Sequence, residues 1–416
     1  MTGGRGSGYE LFRDHKFREL WSANLALNLG LAMLMLGVAW EMTSLTDNPV
    51  LVAMVQTVMS LPFVFFSIPV GLASDARGHR SLLLGSQFWM LAVTVLMAVI
   101  ALTGGWDFTP LLVLTTMFLV GVGIVVQQSA WKPFLHELVP KDRLVAAISF
   151  NSLSNKISQT VGPILGGYLM GVFGAAVVLF TRAASHILMI VALLRLPKGR
   201  PADGDTDSTT TRSAKRSLRE GWEVLRRSPQ LYGPMIRCSL LMVPCAGVLA
   251  LLPLEAKENI QTGAIGYGGL LAALGAGSTS GVSLMPLLQR HFRLNVISTV
   301  AVAVFSLAVV GISRWDSMLL DATFLVFFGF AWSVLSVSHQ YAVQIHSPGH
   351  MRGLIMSIYA LVLQGSMAVG SFGFGVLAER FSVTRAILMA GFVATSGLLL
   401  VRRYPMPEDV PEQASA

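Results

Sequence analysis

The chain has 416 residues, of which 53% are hydrophobic and only 12% are Asp, Glu, Lys or Arg. A soluble domain carries roughly 25% charged residues, so a surface that faces water all round is excluded. The apolar residues, about 220 in all, match a dozen membrane spans of roughly 20 residues each. The net charge of +8 has no meaning until its basic residues are placed, since cytoplasmic loops of membrane proteins collect Lys and Arg.

The N-terminal stretch MTGGRGSGYELFRDHKFREL is polar and basic. It runs into an apolar segment with no small-residue cleavage site, which marks a retained first span and not a removed signal peptide. Apolar runs bounded by charge, Gly or Pro predict twelve transmembrane helices. They cover Trp21–Met42, Val50–Ala73, Leu82–Leu102, Pro110–Ala130, Ala146–Val172 and Ala175–Leu196, then Tyr232–Pro253, Gly266–Leu288, Leu294–Ser313, Met318–Val337, Leu354–Ala378 and Thr384–Val401. Each reaches or nears the length that crosses about 30 Å of hydrocarbon as a helix, and the short alternating segments of a barrel are absent. Cys238 and Cys245, seven apart in one run, stand about 10 Å apart along a helix, too far for a disulfide. No Cys/His cluster has metal spacing, and neither a metal nor a cofactor is expected.

Pro197–Leu231 is the one long polar segment. Its first half, PKGRPADGDTDSTTT, has the composition of a disordered linker. Its second half sets Leu218, Trp222 and Leu225 on one helical face, as in a helix lying along the inner membrane surface. The expected organisation is therefore a six-helix half over 1–196, a cytoplasmic linker over 197–231, a second half over 232–403 and a cytoplasmic tail over 404–416. VGPILGGYL (Val161–Leu169) aligns with VGSFGFGVL (Val369–Leu377), which places Gly162 over Gly370 and Gly167 over Gly375. Paired halves of this kind are a transporter architecture.

With the N-terminus inside, 23 of the 30 Lys and Arg fall on the same side as the two termini. Lys257, Arg314, Arg380 and Arg385 fall on the other, while Lys156, Arg182 and Arg237 remain within spans. The positive charge is thus a topology signal with both termini cytoplasmic. Nucleic acid is set aside as a partner, because no basic patch is interleaved with aromatic residues.

GLASDARGHRSLLL (Gly71–Leu84), after span two, resembles the signature loop of the major facilitator superfamily. Gly71, Asp75, Gly78 and Arg80 match it, whereas Ala76 and His79 stand where a basic residue is usual. HELVPKDRLVAAISFNSL (His136–Leu153) with GPILGG, and MRGLIMSIYALVLQG with VLAERF, are similar to the branch that holds the enterobactin exporter and macrolide-type efflux pumps. The resemblance implies an all-α, twelve-helix transporter of the bacterial inner membrane that is not an enzyme and works by alternating access. It also implies a cytoplasmic latch at Gly71, Asp75, Gly78 and Arg80, and an antiporter-type motif at Gly162, Pro163, Gly166 and Gly167. In physical terms Gly71 and Gly78 allow a tight loop, Asp75 suits a cation such as Arg80, and the span-five glycines let helices pack closely around a bend at Pro163.

No Gly-x-x-x-x-Gly-Lys-Ser/Thr phosphate loop is present, so energy is expected from an ion gradient. Polar side chains within spans are costly and mark function. Lys156 lies about 15 Å into span five by helical rise, on a polar turn with Asn151, Ser152, Asn155, Ser158 and Gln159. It reads as a cavity-lining cation, with a buried structural pair as the alternative. Arg182 and His186 share a face of span six, with snorkelling of Arg182 to the outer interface as its alternative. Asn28 in span one, Gln128 in span four and Gln364 in span eleven complete the expected substrate-binding set. Glu41, near the outer end of span one, is the one evident acid and hence the proton-coupling candidate, against an interfacial Glu facing water. Asn24 shares a face with Asn28. Arg237 is read as snorkelling to the inner interface, and His339 as a structural histidine.

Cations at mid-membrane favour an anionic substrate. The expected activity is proton-driven export of a siderophore or related metabolite by a monomer. Multidrug efflux, nutrient or siderophore import by the same fold, and a non-transporting receptor remain open alternatives at this stage. Substrate is expected between spans one, two, four and five and the matching helices of the second half.

Overall fold

The computed structural model describes residues 11–103, 109–196, 223–312, 314–315, 317–348, 351–404 and 406, and among them there is no strand. Twelve long helices follow in order. They are α1 (His15–Leu45), α2 (Pro49–Arg77), α3 (His79–Thr103), α4 (Pro110–Leu138), α5 (Leu144–Phe173) and α6 (Ala175–Arg195), then α7 (Pro229–Glu258), α8 (Ala264–His291), α9 (Leu294–Ile312), α10 (Met318–His346), α11 (Arg352–Arg380) and α12 (Val383–Arg403). The protein is an all-α membrane protein of twelve helices. The shortest, α9, has 19 residues, about 28 Å of rise and close to the thickness of the hydrocarbon core.

Local chemistry sets the ends. Asn48 accepts from the Val50 backbone N–H at 2.8 Å through Oδ1 and caps α2, whose first residue is Pro49. Thr109 plays the same part for α4, again followed by proline. A single residue joins α2 to α3, and another joins α5 to α6. These are Gly78 (φ 77°) and Gly174 (φ 80°), in the left-handed region that glycine enters without strain. The tight loop expected at Gly78 is there.

The helices meet the predicted spans closely, with two differences. α4 continues to Leu138 and α10 to His346, beyond the predicted ends at Ala130 and Val337. These last turns carry Lys132, His136 and Glu137, and Gln340, Gln344 and His346. Apolarity stops there, but the backbone ladder does not. Ten helices contain a long stretch of membrane-crossing hydropathy. α5 is not one of them, because its middle holds Asn151, Ser152, Asn155, Lys156, Ser158 and Gln159. Leu218 and Trp222 of the expected surface helix lie outside the described residues. The span from Glu223 to Arg227 is helical, with Leu225 buried.

The chain forms two compact units. The first holds Met1–Leu45, Phe65–Thr206 and Gly263–Ala272, and the second holds Thr46–Val64, Asp207–Thr262 and Ala273–Ala416. In the first unit α1 packs on α5 and α6, and α3 on α4 and α6. In the second α7 packs on α11 and α12, and α9 on α10 and α12. The same four pairings thus recur at a step of six helices. α2 and α8 are each divided between units, and small residues explain this. A Cβ on Gly167 would stand 2.7 Å from the Ala264 carbonyl and 3.0 Å from Gly268 Cα, which ties the start of α8 to α5. A Cβ on Gly375 would stand 2.8 Å from Ala53 Cβ and 3.3 Å from Val50 Cα, which ties the start of α2 to α11.

The first unit is sealed at one end by Leu20, Ala23, Leu27, Leu83, Phe134 and Leu193. Beside them Phe12, Phe17 and Trp21 stack around Phe150. Trp21 Nε1 donates to the Phe150 carbonyl at 2.8 Å.

Candidate functional site

Helix α5 has three faces, and they separate by chemistry. Ala147, Ser154, Ser158, Gly162 and Gly166 are buried, and this face packs on α1. Leu153, Val161, Ile164, Leu165 and Tyr168 are apolar and exposed, as hydrocarbon requires. Ser152, Asn155 and Gln159 are polar and exposed, with Lys156 half-buried beside them. Their spacing of three and four residues keeps them on one stripe. Such a stripe inside a membrane-crossing helix is costly against lipid and suits water or a polar ligand.

Behind the stripe lies a hydrogen-bonded seam. Asn151 Oδ1 accepts from Asn24 Nδ2 at 3.1 Å and from Trp131 Nε1 at 3.0 Å. Ser154 Oγ accepts from Asn28 Nδ2 at 3.1 Å. Asn24 and Asn28 were legible as one face of α1. Asn151, Ser154 and Trp131 are what that face meets, and together they fix α1, α4 and α5 at the depth of the stripe. Asn155 Nδ2 donates to the Asn151 carbonyl at 3.2 Å.

Arg182 and His186 are together, as their spacing predicts, but in the interior of the first unit. Arg182 is 1% exposed and does not snorkel. Its Nη1 donates to the Leu27 carbonyl of α1 at 2.6 Å, while its Nε has no partner among the described residues. His186 Nδ1 contacts Gln87 Oε1 of α3 at 2.7 Å, and Gln87 Nε2 donates to Gln127 Oε1 of α4 at 3.1 Å. An amide oxygen accepts, so Nδ1 carries the proton and Nε2, which is unpartnered among the described residues, holds the lone pair. Gln87 and Gln127 were not foreseen. Gln128, which was, is exposed.

Glu41 is half-buried and shares a narrow pocket with Leu34, Gly37, Val38, Met97, Val113, Ala175, Val178 and Leu179. Every other wall of that pocket is apolar. Trp40, next to it, stacks on Tyr267 with ring centres 5.7 Å apart. In the second unit Gln364 is half-buried on α11. It lies as far before Gly370 as Lys156 lies before Gly162, so the two occupy matching places in the repeat.

Of the expected latch, the side chains of Gly71 and Asp75 lie outside the described residues. Arg80 donates from Nε and Nη2 to the Leu193 carbonyl at 3.0 and 2.9 Å, and from Nη2 to Leu194 at 3.3 Å. It therefore caps the last turn of α6, where the helix dipole is negative. His79, in a place where a basic residue is usual, meets Glu137 Oε1 of α4 at 2.6 Å. Gly162, Pro163, Gly166 and Gly167 are all buried. A Cβ on Gly162 would stand 2.6 Å from Ala32 Cβ, and one on Gly166 would stand 2.9 Å from Met33 Cα. Close packing is what these glycines provide. Their partner Gly268, whose own Cβ would stand 2.5 Å from the Pro163 carbonyl, was not foreseen.

Twelve apolar helices in a repeated packing, with one polar stripe at mid-membrane, define a small-molecule transporter of the major facilitator superfamily and not an enzyme. The chain belongs to the transmembrane secretion effector family, whose pattern matches residues 6–416. It is 24% identical over 351 residues to the uncharacterized MFS-type transporter YfiS of Bacillus subtilis (strain 168), with 80% of this chain and 81% of that one covered. It is 25% identical over 284 residues to the enterobactin exporter EntS of Citrobacter koseri, with 67% of each covered. Among solved structures the nucleoside transporter NupG has a TM-score of 0.76 at 11% identity, over 94% of this chain and 99% of that one, which is a likeness of fold.

Proposed function

We propose that the chain exports a small organic anion, a siderophore or related metabolite, across the bacterial inner membrane by proton antiport, with both termini cytoplasmic. The observation that carries this reading is the exposed stripe of Ser152, Asn155 and Gln159 with Lys156 at mid-helix. Lys156 presents the charge that recognises an anionic group, and Asn155 and Gln159 supply amide donors beside it. Asn28, Gln128 and Gln364 extend the polar lining. Arg182 acts from behind the stripe as a positive charge, with His186 one turn along the same face of α6. Glu41, a carboxyl among apolar walls, carries the proton.

The relationship to the enterobactin exporter supports the direction of transport and the class of cargo. Arg80 and Gly78, with Asp75 and Gly71, hold the α2–α3 turn as a latch. Gly162, Pro163, Gly166 and Gly167 give α5 the close contacts on which its movement depends.

Uptake of an anionic siderophore into inverted membrane vesicles, with and without an imposed proton gradient, tests the reading. Gradient-driven accumulation is expected in the wild type, with at least about tenfold loss in Lys156→Glu and activity retained in Lys156→Arg, the size of one charge-assisted hydrogen bond. Undiminished accumulation by both Lys156→Ala and Lys156→Glu overturns the assignment of the stripe.

A further inference from the structure

A second buried cation lies in the other unit, and its side chain is closed off from solvent. Arg237 is 5% exposed. Its Nη1 donates to Asn295 Oδ1 at 3.0 Å and to the Tyr404 carbonyl at 3.3 Å, and its Nη2 donates to Ser298 Oγ at 2.8 Å. All of these partners are neutral. Tyr404 follows the last turn of α12, whose dipole supplies roughly half a negative charge, and no acid among the described residues pairs with the guanidinium. The buried acids of this unit, Glu255 and Asp321, stand eighteen positions from Arg237 on α7 and from His339 on α10, about 27 Å of helical rise away.

Beside Arg237 there is a cavity. It is lined by Arg237, His339, Leu240, Leu241, Val302 and Ala394, with Gly397 completing the wall. His339 is fully buried, and neither of its ring nitrogens has a partner among the described residues. A neutral imidazole always offers one N–H, so an unused donor and a cation with no acid partner among the described residues face the same small space.

We propose that this cavity between α7, α9, α10 and α12 binds a small monovalent anion of the chloride class, held by Arg237 and His339. A cation is repelled by Arg237. A many-oxygened anion needs more donors than two side chains supply, and the remaining walls are apolar. A spherical, weakly hydrated halide needs only the charge, one or two N–H donors and an apolar remainder. The anion lowers the cost of a buried guanidinium that meets no acid among the described residues.

The test uses the full-length protein in detergent, with sodium chloride exchanged for sodium gluconate at constant ionic strength. Unfolding is followed with a thiol-reactive dye, since Cys238 and Cys245 are both free and buried. The melting temperature is expected to rise with the logarithm of chloride concentration above its Kd, reaching roughly 2–4 °C at a hundredfold excess. Bromide is expected to replace chloride, and His339→Leu to abolish the response while His339→Gln keeps part of it. Equal melting temperatures in chloride and gluconate mean that the cavity holds only water, and overturn the proposal, as does an undiminished response in His339→Leu. If His339→Leu does not fold, binding of radiolabelled chloride to the wild type decides: one saturable site per chain supports the anion, and no saturable binding overturns it.

Discussion

Arg182→Met separates a transport role from a structural one. The methionine side chain follows the Cβ, Cγ and Cδ–Nε path of the arginine, so the space against Gly30, whose Cβ would stand 3.3 Å from Arg182 Cδ, stays filled. The change removes one charge-assisted hydrogen bond to the Leu27 carbonyl, which stabilises by about 1.5–3 kcal/mol. It also removes the desolvation penalty of a buried cation with no acid partner, several kcal/mol by comparison with other buried charges. The two nearly cancel, and the unpartnered Nε tips the balance toward methionine. The variant is therefore expected to melt within about 2 °C of the wild type or above it, while losing at least tenfold in anion transport. Unfolding in detergent and uptake into inverted vesicles measure both. A fall in stability of more than about 2 kcal/mol refutes the energetic argument, because the bond to Leu27 would then be a structural tie. Unaltered transport refutes the role of Arg182 in moving an anion.

Three further changes follow from the same geometry. Glu41→Gln keeps the shape of the side chain in its apolar pocket and is expected to leave transport indifferent to an imposed proton gradient; unchanged gradient dependence removes Glu41 from the coupling. Arg80→Leu loses three hydrogen bonds to the last turn of α6 and is expected to cost about 1–3 kcal/mol in unfolding, part of it restored in Arg80→Lys; a neutral Arg80→Leu shows that the cap is idle. Gly167→Val drives a side chain into the Ala264 carbonyl and Gly268, with an expected loss of about 1–3 kcal/mol and of transport, whereas Gly85→Ala, with open space around it, leaves both unchanged.

The helices could be read from the chain because a membrane removes the ambiguity that water leaves: a long apolar run bounded by charge has no other fate there. α5 was legible for the opposite reason, since a polar turn inside a span has to face something wet. The partners of these groups were not legible. Asn24 and Asn28 point to a polar face but not to Asn151, Ser154 or Trp131, which lie over a hundred positions away along the chain. Gln87 and Gln127 each look like an ordinary polar residue near a helix end, and only the meeting of α3, α4 and α6 makes them a chain with His186. The bonds of Arg80 to backbone carbonyls of α6 have no sequence signature at all. For Arg237, depth along one helix does not reveal that Asn295, Ser298 and the chain after α12 close over it.

The repeat and the chemistry part company within the same helices. Gly162 packs on Ala32 of α1 and Gly370 on Val243 of α7, and Gly167 and Gly375 make the matching approaches to α8 and α2. Packing has therefore kept the symmetry of the repeat, because each pairing needs only a small residue at the crossing. The polar stripe has not. Lys156 aligns with Gln364 in the repeat, and the positions matching Asn155 and Gln159 are Leu363 and Met367. In the proposed reading, the charged, amide-rich stripe on α5 and the Leu363, Gln364 and Met367 face of α11 have different tasks, and the cation that recognises cargo belongs to the first unit. The second unit's own buried cation, Arg237, is bonded to Asn295 and Ser298. Anion selectivity should accordingly respond to changes on α5 and stay indifferent to the same changes on α11.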